Sequence, residues 1–151
     1  MIYNIVLNPI NRCNTNFQDK ITQSQYFFDW SVLPEGKYNL TFTFMSGQVN
    51  ESSVPFIPIL NIALGQSTNY TADPLRISSL ITNTIGILIP LISDKSYLYA
   101  DKNVNHPITL NRPSQNNFTV NILNNITNGL WIDTAFADLT TYVLTLSLEQ
   151  I

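Results

Sequence analysis

Apolar and polar residues alternate one for one along much of this chain, the period that sends successive side chains to opposite faces of a β-strand. The clearest run is Lys37 to Met45. Tyr38, Leu40, Phe42 and Phe44 fall on one face, and Lys37, Asn39, Thr41 and Thr43 on the other. The pattern returns near the C-terminus, where Tyr142, Leu144, Leu146 and Leu148 alternate with Val143, Thr145, Ser147 and Glu149, and again at Phe118, Val120 and Ile122. Each predicts a strand with one buried and one outward face. Pro55 to Leu64 alternates less cleanly and carries Pro58, which belongs on an edge or at a bulge. Ile85 to Ile92 is apolar on both faces and reads as a central strand or a contact strand. Shorter candidates are Ile2 to Leu7, Tyr97 to Ala100 and Ile108 to Leu110.

Turn chemistry separates these runs. In Leu33-Pro-Glu-Gly36, Pro34 presets φ and Gly36 accepts a positive value. The aromatic segment Gln25 to Val32 is expected to pair with Lys37 to Met45 as a hairpin across that turn. Helical period is nearly absent; only Thr71 to Leu80 offers a turn or two, with Asp73 as N-cap and Pro74 at the first helical position. Strands spaced in this way predict an all-β, antiparallel β-sandwich or barrel of about eight to nine strands with little or no helix. No repeat or linker divides the chain, so one domain is expected over residues 1–151. The longer connections, where a sandwich carries its function, are Asn8 to Lys20, Ser46 to Val54, Gly65 to Ser79, Asp101 to Asn105, Asn111 to Asn116 and Asn125 to Thr141.

Composition changes the picture in one respect. Only 11% of residues are charged, under half the share of about 25% typical of soluble domains; the polar remainder is mostly Asn, Thr, Ser and Gln. A surface that repels its neighbours so weakly leans toward burial in an assembly. The seven basic residues are scattered and net charge is −3, which leaves no electrostatic footprint for nucleic acid. No apolar run approaches a membrane span. The N-terminus reads as a first strand ended by Pro9, without the basic and long apolar regions of a signal peptide. Sequons at Asn39, Asn50, Asn69, Asn117 and Asn125 carry little weight in a chain this rich in Asn, Ser and Thr.

Candidate chemistry is sparse. His106, the sole histidine, precedes Pro107 in a polar loop, and no serine motif accompanies it. Cys13, the sole cysteine, excludes an intrachain disulfide and lacks a dyad partner. The three glutamates, Glu35, Glu51 and Glu149, are dispersed, and Asp133 and Asp138 form no glycosidase or calcium motif. No catalytic, metal or cofactor residues are expected. Trp30, Tyr26, Phe27 and Phe28 read as core or interface anchors before they read as a sugar or base platform. Trp131, in the polar loop Asn128 to Asp133, is expected to be exposed and is the better docking anchor.

Three strings extend this reading. They are Phe28-Asp-Trp-Ser-Val-Leu-Pro-Glu-Gly-Lys-Tyr-Asn-Leu-Thr-Phe-Thr-Phe44, Leu98-Tyr-Ala-Asp-Lys-Asn103 and Leu110-Asn-Arg-Pro-Ser-Gln-Asn-Asn-Phe-Thr-Val-Asn-Ile122. In them the chain resembles the small jelly-roll minor capsid proteins of large icosahedral double-stranded DNA viruses of algae and protists. The similarity runs from about Tyr26 to Glu149 and rests on strand-and-turn pattern. It implies a jelly-roll-like sandwich in the virion, partnered by the major capsid protein and other minor capsid proteins, with no catalytic residues to carry over. Candidate interface residues are then Leu130, Trp131, Arg112 and Asn116, with Ile87 and Ile89 on the outward face of Ile85 to Ile92. The alternative is a non-catalytic binding module, a carbohydrate- or receptor-binding sandwich such as a viral fibre head. A hydrolase stands third.

Overall fold

Strands form where the alternation is cleanest, and their pairing follows from which apolar faces can share an interior. The computed structural model describes residues 1–14, 23–46, 57–65, 69–70, 81–82, 84–87, 98–101, 108–126, 130–132 and 141–151. In chain order its strands are β1 (Ile2–Leu7), β2 (Gln23–Phe27), β3 (Lys37–Ser46), β4 (Ile57–Ile62), β5 (Asn69–Tyr70) and β6 (Ile81–Thr82), then β7 (Thr84–Ile87), β8 (Leu98–Asp101), β9 (Ile108–Asn111), β10 (Asn117–Ile126), β11 (Leu130–Ile132) and β12 (Tyr142–Gln150). Two single turns of 3₁₀ helix, Pro9–Asn11 and Trp30–Val32, are capped by the side chains of Asn8 and Asp29.

All pairings are antiparallel. One sheet runs β1-β12-β3, with β8 and β9 sharing the far side of β3; the other places β2 and β11 along one side of β10, then β4 and β7 on the other. Each sheet therefore has four strand positions. The pairs nest: β1 with β12, β2 with β10, β3 with β8 and β9, and β4 with β7. A chain folded as one long hairpin and then wrapped into two facing sheets is a jelly roll. The twelve strand segments reduce to these eight positions because β8 and β9 divide one place, β11 extends the line of β2, and β5 with β6 forms a separate ribbon.

The interior is read directly from the register. Ile5, Leu146 and Phe42 lie side by side across three strands, as do Leu7, Leu144 and Phe44. The facing sheet contributes Tyr26 beside Phe118, Ser24 beside Val120 and Ile62, and Ile122 beside Leu60. All of these side chains are buried. A one-residue slip of β12 would turn its whole apolar row outward, so this register is strongly specified.

Three expectations change. The segment from Gln25 does not form a hairpin with β3: β2 pairs with β10 in the opposite sheet, and Trp30–Val32 is a 3₁₀ turn. The turn Leu33 to Gly36 instead ends a crossover between sheets, and Trp30 drops into the interior along it, 1% exposed. Ile85 to Ile92, expected as a central strand or a contact strand, is not central in the part that the structure describes. Its described part, β7, is the terminal strand of its sheet; the rest, like the expected turn at 71–80, lies outside the described residues. The connections Gly65 to Ser79 and Asn125 to Thr141 contain the short strands β5 and β11, too brief for alternation to mark. Pro58 stands in an inner strand, opposite Asn124 of β10, and among the described residues the pairing of β4 with β7 begins only at Ile59.

Gly36 has φ +147°, and a Cβ there would sit 3.2 Å from the Gln150 side chain. Gly36→Ala should cost about 1–3 kcal/mol. Leu146→Ala, which empties the middle of the best-packed row, should cost about 2–5 kcal/mol. Urea unfolding checks both, with an unchanged dependence on denaturant expected.

Candidate functional site

The crossover end of the sandwich is built from the 28–36 segment and the loop joining β9 to β10. Asp29 Oδ1 accepts from Ser31 N–H and Ser31 Oγ at 3.1 and 2.6 Å, and these bonds hold its carboxyl below the usual carboxylate range. Trp30 packs against Phe28 and Phe118 at ring separations of 4.8 and 5.7 Å. Its indole N–H is buried without a hydrogen-bond partner among the described residues. Asn116 holds this segment in place: its backbone carbonyl accepts from Phe28 N–H at 2.9 Å and its side chain from Trp30 N–H at 3.3 Å.

Arg112 ties down the turn beside it. The guanidinium donates to the Leu33 carbonyl at 2.9 Å and to Glu35 at 3.0 Å, and its own N–H bonds Gly36 O at 3.0 Å. The ion pair is surface-exposed on the Glu35 side and contributes at most about 1 kcal/mol; the carbonyl contacts fix the geometry. An open groove of about 430 Å³ runs from Arg112, Pro113 and Gln115 to Leu64 and Gly65.

A cluster of hydroxyls lies inside the core. The hydroxyls of Tyr26 and Tyr142 meet at 2.8 Å across the two sheets, with buried Ser24 in the same cluster. Burial, then the neighbouring Tyr142, pushes the Tyr26 phenol far above its ordinary value. Burial raises Tyr142 as well. Both therefore stay protonated at neutral pH and act as hydrogen-bonding groups.

The outer faces carry almost no charge. On the β1-β12-β3 sheet the outward rows are Ile2, Glu149, Asn39 and Thr109; then Asn4, Ser147 and Thr41; then Val6, Thr145 and Thr43. Ser147 Oγ donates to Asn4 at 2.7 Å and Thr109 to Asn39 at 3.2 Å. Among these described residues only Lys37 and Glu149, both at one end, are charged. Ile2, Val6 and Met45 are each more than half exposed.

Of the six residues expected at an interface, the five described ones divide into two groups. Arg112 and Asn116 stand before the start of β10 and organise the chain's own crossover. Leu130 and Trp131 lie in β11, paired with the far end of β10, about 30 Å away along that strand. Trp131 is thus a strand residue, not part of a polar loop. Ile87 pairs with Ile59, which pairs with Leu123, one row from the Trp131, Asn125 and Ile57 row. Ile89, like His106, Glu51, Asp133 and Asp138, lies outside the described residues. Of the aromatic cluster, Tyr26 and Trp30 are core, Phe28 is half-buried and Phe27 is exposed. Cys13 is exposed. Among the described residues no group of three metal-ligating side chains converges and no helix is long and apolar enough to cross a membrane. The unlooked-for feature is the β1 face with Ile2 and Val6; its signal was a strand without a charge.

Comparison of the chain with known protein families, curated proteins and solved structures returns no match.

Ionisation of Tyr26 and Tyr142 is opposed only in the folded state. Their contribution is thus complete below the unfolded tyrosine value of about 10 and lost as pH rises beyond it. The unfolding free energy should stay level from neutral pH and then fall above pH ~10 by up to about 1.4 kcal/mol per pH unit for each phenol. Tyr26→Phe with Tyr142→Phe should make that limb shallower in chemical denaturation measured from pH 7 to 11, the remainder coming from Tyr38, whose phenol burial also raises. Each single variant should cost about 0.5–1.5 kcal/mol by removing one bond from a cluster that Ser24 also joins, and the double variant less than their sum.

Proposed function

We propose that this chain is a structural minor capsid protein of a large icosahedral DNA virus, packing against capsomers of the major capsid protein and stabilising the lattice. The observation that carries this reading is the pair of jelly-roll sheets whose described outward rows are amide, hydroxyl and aliphatic, with charge confined to one end. Such a face costs less to desolvate than a charged one, provided a partner matches its amides and hydroxyls with hydrogen bonds, and its rigid sheet presents side chains at fixed spacing. The resemblance of residues 26–149 to jelly-roll minor capsid proteins points the same way. The role is one of packing and not of catalysis, in the virion, with neither nucleic acid nor a cofactor as partner.

The aromatic-platform reading loses its main support, since Trp30 and Tyr26 are spent on the interior. Arg112 and Asn116 serve an interface indirectly, by fixing the crossover that any partner would meet.

The test uses purified particles of the encoding virus. The chain should co-purify with them and cross-link to the larger capsid subunit, with Lys37 on the outward face as a reactive amine. Thr43→Glu on that exposed face should leave the melting temperature within a few degrees while lowering incorporation at least tenfold. Absence of the chain from intact particles, or normal incorporation of the charged variant, overturns the proposal.

A further inference from the structure

The two sheets end differently on the side where β1 and β2 lie. The free edge of β2 is closed by the chain itself. Cys13 N–H donates to Gln25 O at 2.6 Å, and the Asn14 side chain accepts from Gln25 N–H and donates to Gln23 O, both at 2.8 Å. Among the described residues the edge of β1 has no such cover. Its register with β12 is unbroken over six residues, and Gln150 N–H bonds Met1 O in the directly opposed pair. Backbone groups of an antiparallel strand point alternately to its two neighbours. Tyr3, Ile5 and Leu7 therefore bond β12, while the N–H and C=O of Ile2, Asn4 and Val6 point to the open side. Among the described residues nothing pairs with them.

Exposed edges are normally blunted by lysine, proline or a bulge. From Ile2 to Asn11 there is no charged side chain, and the first proline, Pro9, follows the strand. The edge is also self-complementary. A two-fold axis normal to the sheet and centred on Asn4 sets Asn4 opposite Asn4 of a second copy, and Ile2 opposite Val6. All these residues share the outward face, so side-chain alternation is kept across the junction. The same register pairs each open N–H and C=O of one copy with its counterpart on the other. A shift by one residue would set outward against inward side chains.

We infer that the β1 edge is a homodimerisation site, at which two copies of this chain join their sheets through antiparallel β1 strands centred on Asn4. An isologous contact of this kind closes on itself and so gives dimers, not fibres. It stands on edge geometry alone, independent of the capsid reading.

Sedimentation equilibrium of the full chain should show a weight-average mass rising with concentration from one copy toward two. Asn4→Lys sets like charges across the axis and should hold the protein monomeric over the same range, with melting temperature little changed because Asn4 is exposed. Mixing Asn4→Lys with Asn4→Asp should restore a one-to-one dimer. Asn4→Cys in a Cys13→Ser background should oxidise to a disulfide-linked dimer, since directly opposed bonded residues lie about 5.5 Å apart within disulfide reach. Amide exchange should slow with concentration at Ile2, Asn4 and Val6 only. A chain monomeric throughout, a dimer indifferent to Asn4→Lys, or β1 amides protected only by a different protein overturns the inference.

Discussion

Four side chains on β12 constrain everything else in this molecule. Tyr142, Leu144, Leu146 and Leu148 are each 1% exposed or less, and each sits in register between a residue of β1 and one of β3, or at the end of that line. Alternation along nine residues aims them all at the facing sheet. That interior row recruits Ile5, Leu7, Phe42 and Phe44 beside it and requires β2, β10, β4 and β7 to cover it. The hydroxyl of Tyr142 carries the constraint across the gap: it bonds Tyr26 and so relates one sheet to the other by a directional contact as well as by packing. Buried hydroxyls are costly unless matched, which makes this pair specific to one mutual placement of the sheets.

The second organising element is the crossover from β2 to β3. Here the chain leaves one sheet and enters the other within nine residues, a span too short to be held by its own contacts. It is held from outside: Asn116 receives two of its backbone N–H groups, Arg112 grips the turn by two carbonyls, and Trp30 wedges between Phe28 and Phe118. Gly36 supplies the backbone conformation that lets β3 begin immediately afterwards. The indole N–H in this cluster, unmatched among the described residues, marks where shape has won over polarity.

Much of this fold was legible because a half-buried strand writes its two faces into the sequence. The rows of β3, β10 and β12 stand in Tyr38, Leu40, Phe42 and Phe44, in Phe118, Val120 and Ile122, and in the C-terminal run. What alternation cannot write is partner choice. Gln25 to Val32 and Lys37 to Met45 are neighbours along the chain joined by a good turn, and local chemistry alone joins them as a hairpin; their separation into different sheets is decided by strands nearly a hundred residues away. Short β11 fell below the length at which a period can be counted, which left Trp131 looking like a loop residue. The candidate surface was hidden for the opposite reason. Ile2 to Leu7 was visible as a strand, but only its place at the end of a sheet shows that half its backbone has no partner. Arg112 and Asn116 stand out in the sequence only as polar residues of a connection; that they bind the chain itself cannot be read from spacing.

Because β12 sits between β1 and β3, half of the sandwich waits on the strand made after all its others. A ribosome adding about 5–20 residues per second finishes Ser46 roughly 5–20 s before it reaches Tyr142. Throughout that interval β1 and β3 exist without the strand that separates them. The nascent chain must leave the apolar faces of both without their central neighbour, shielded by whatever lies near the exit tunnel. Codon pacing across the stretch before Tyr142 thus acts directly on how long two unmatched strands are exposed in a crowded cell.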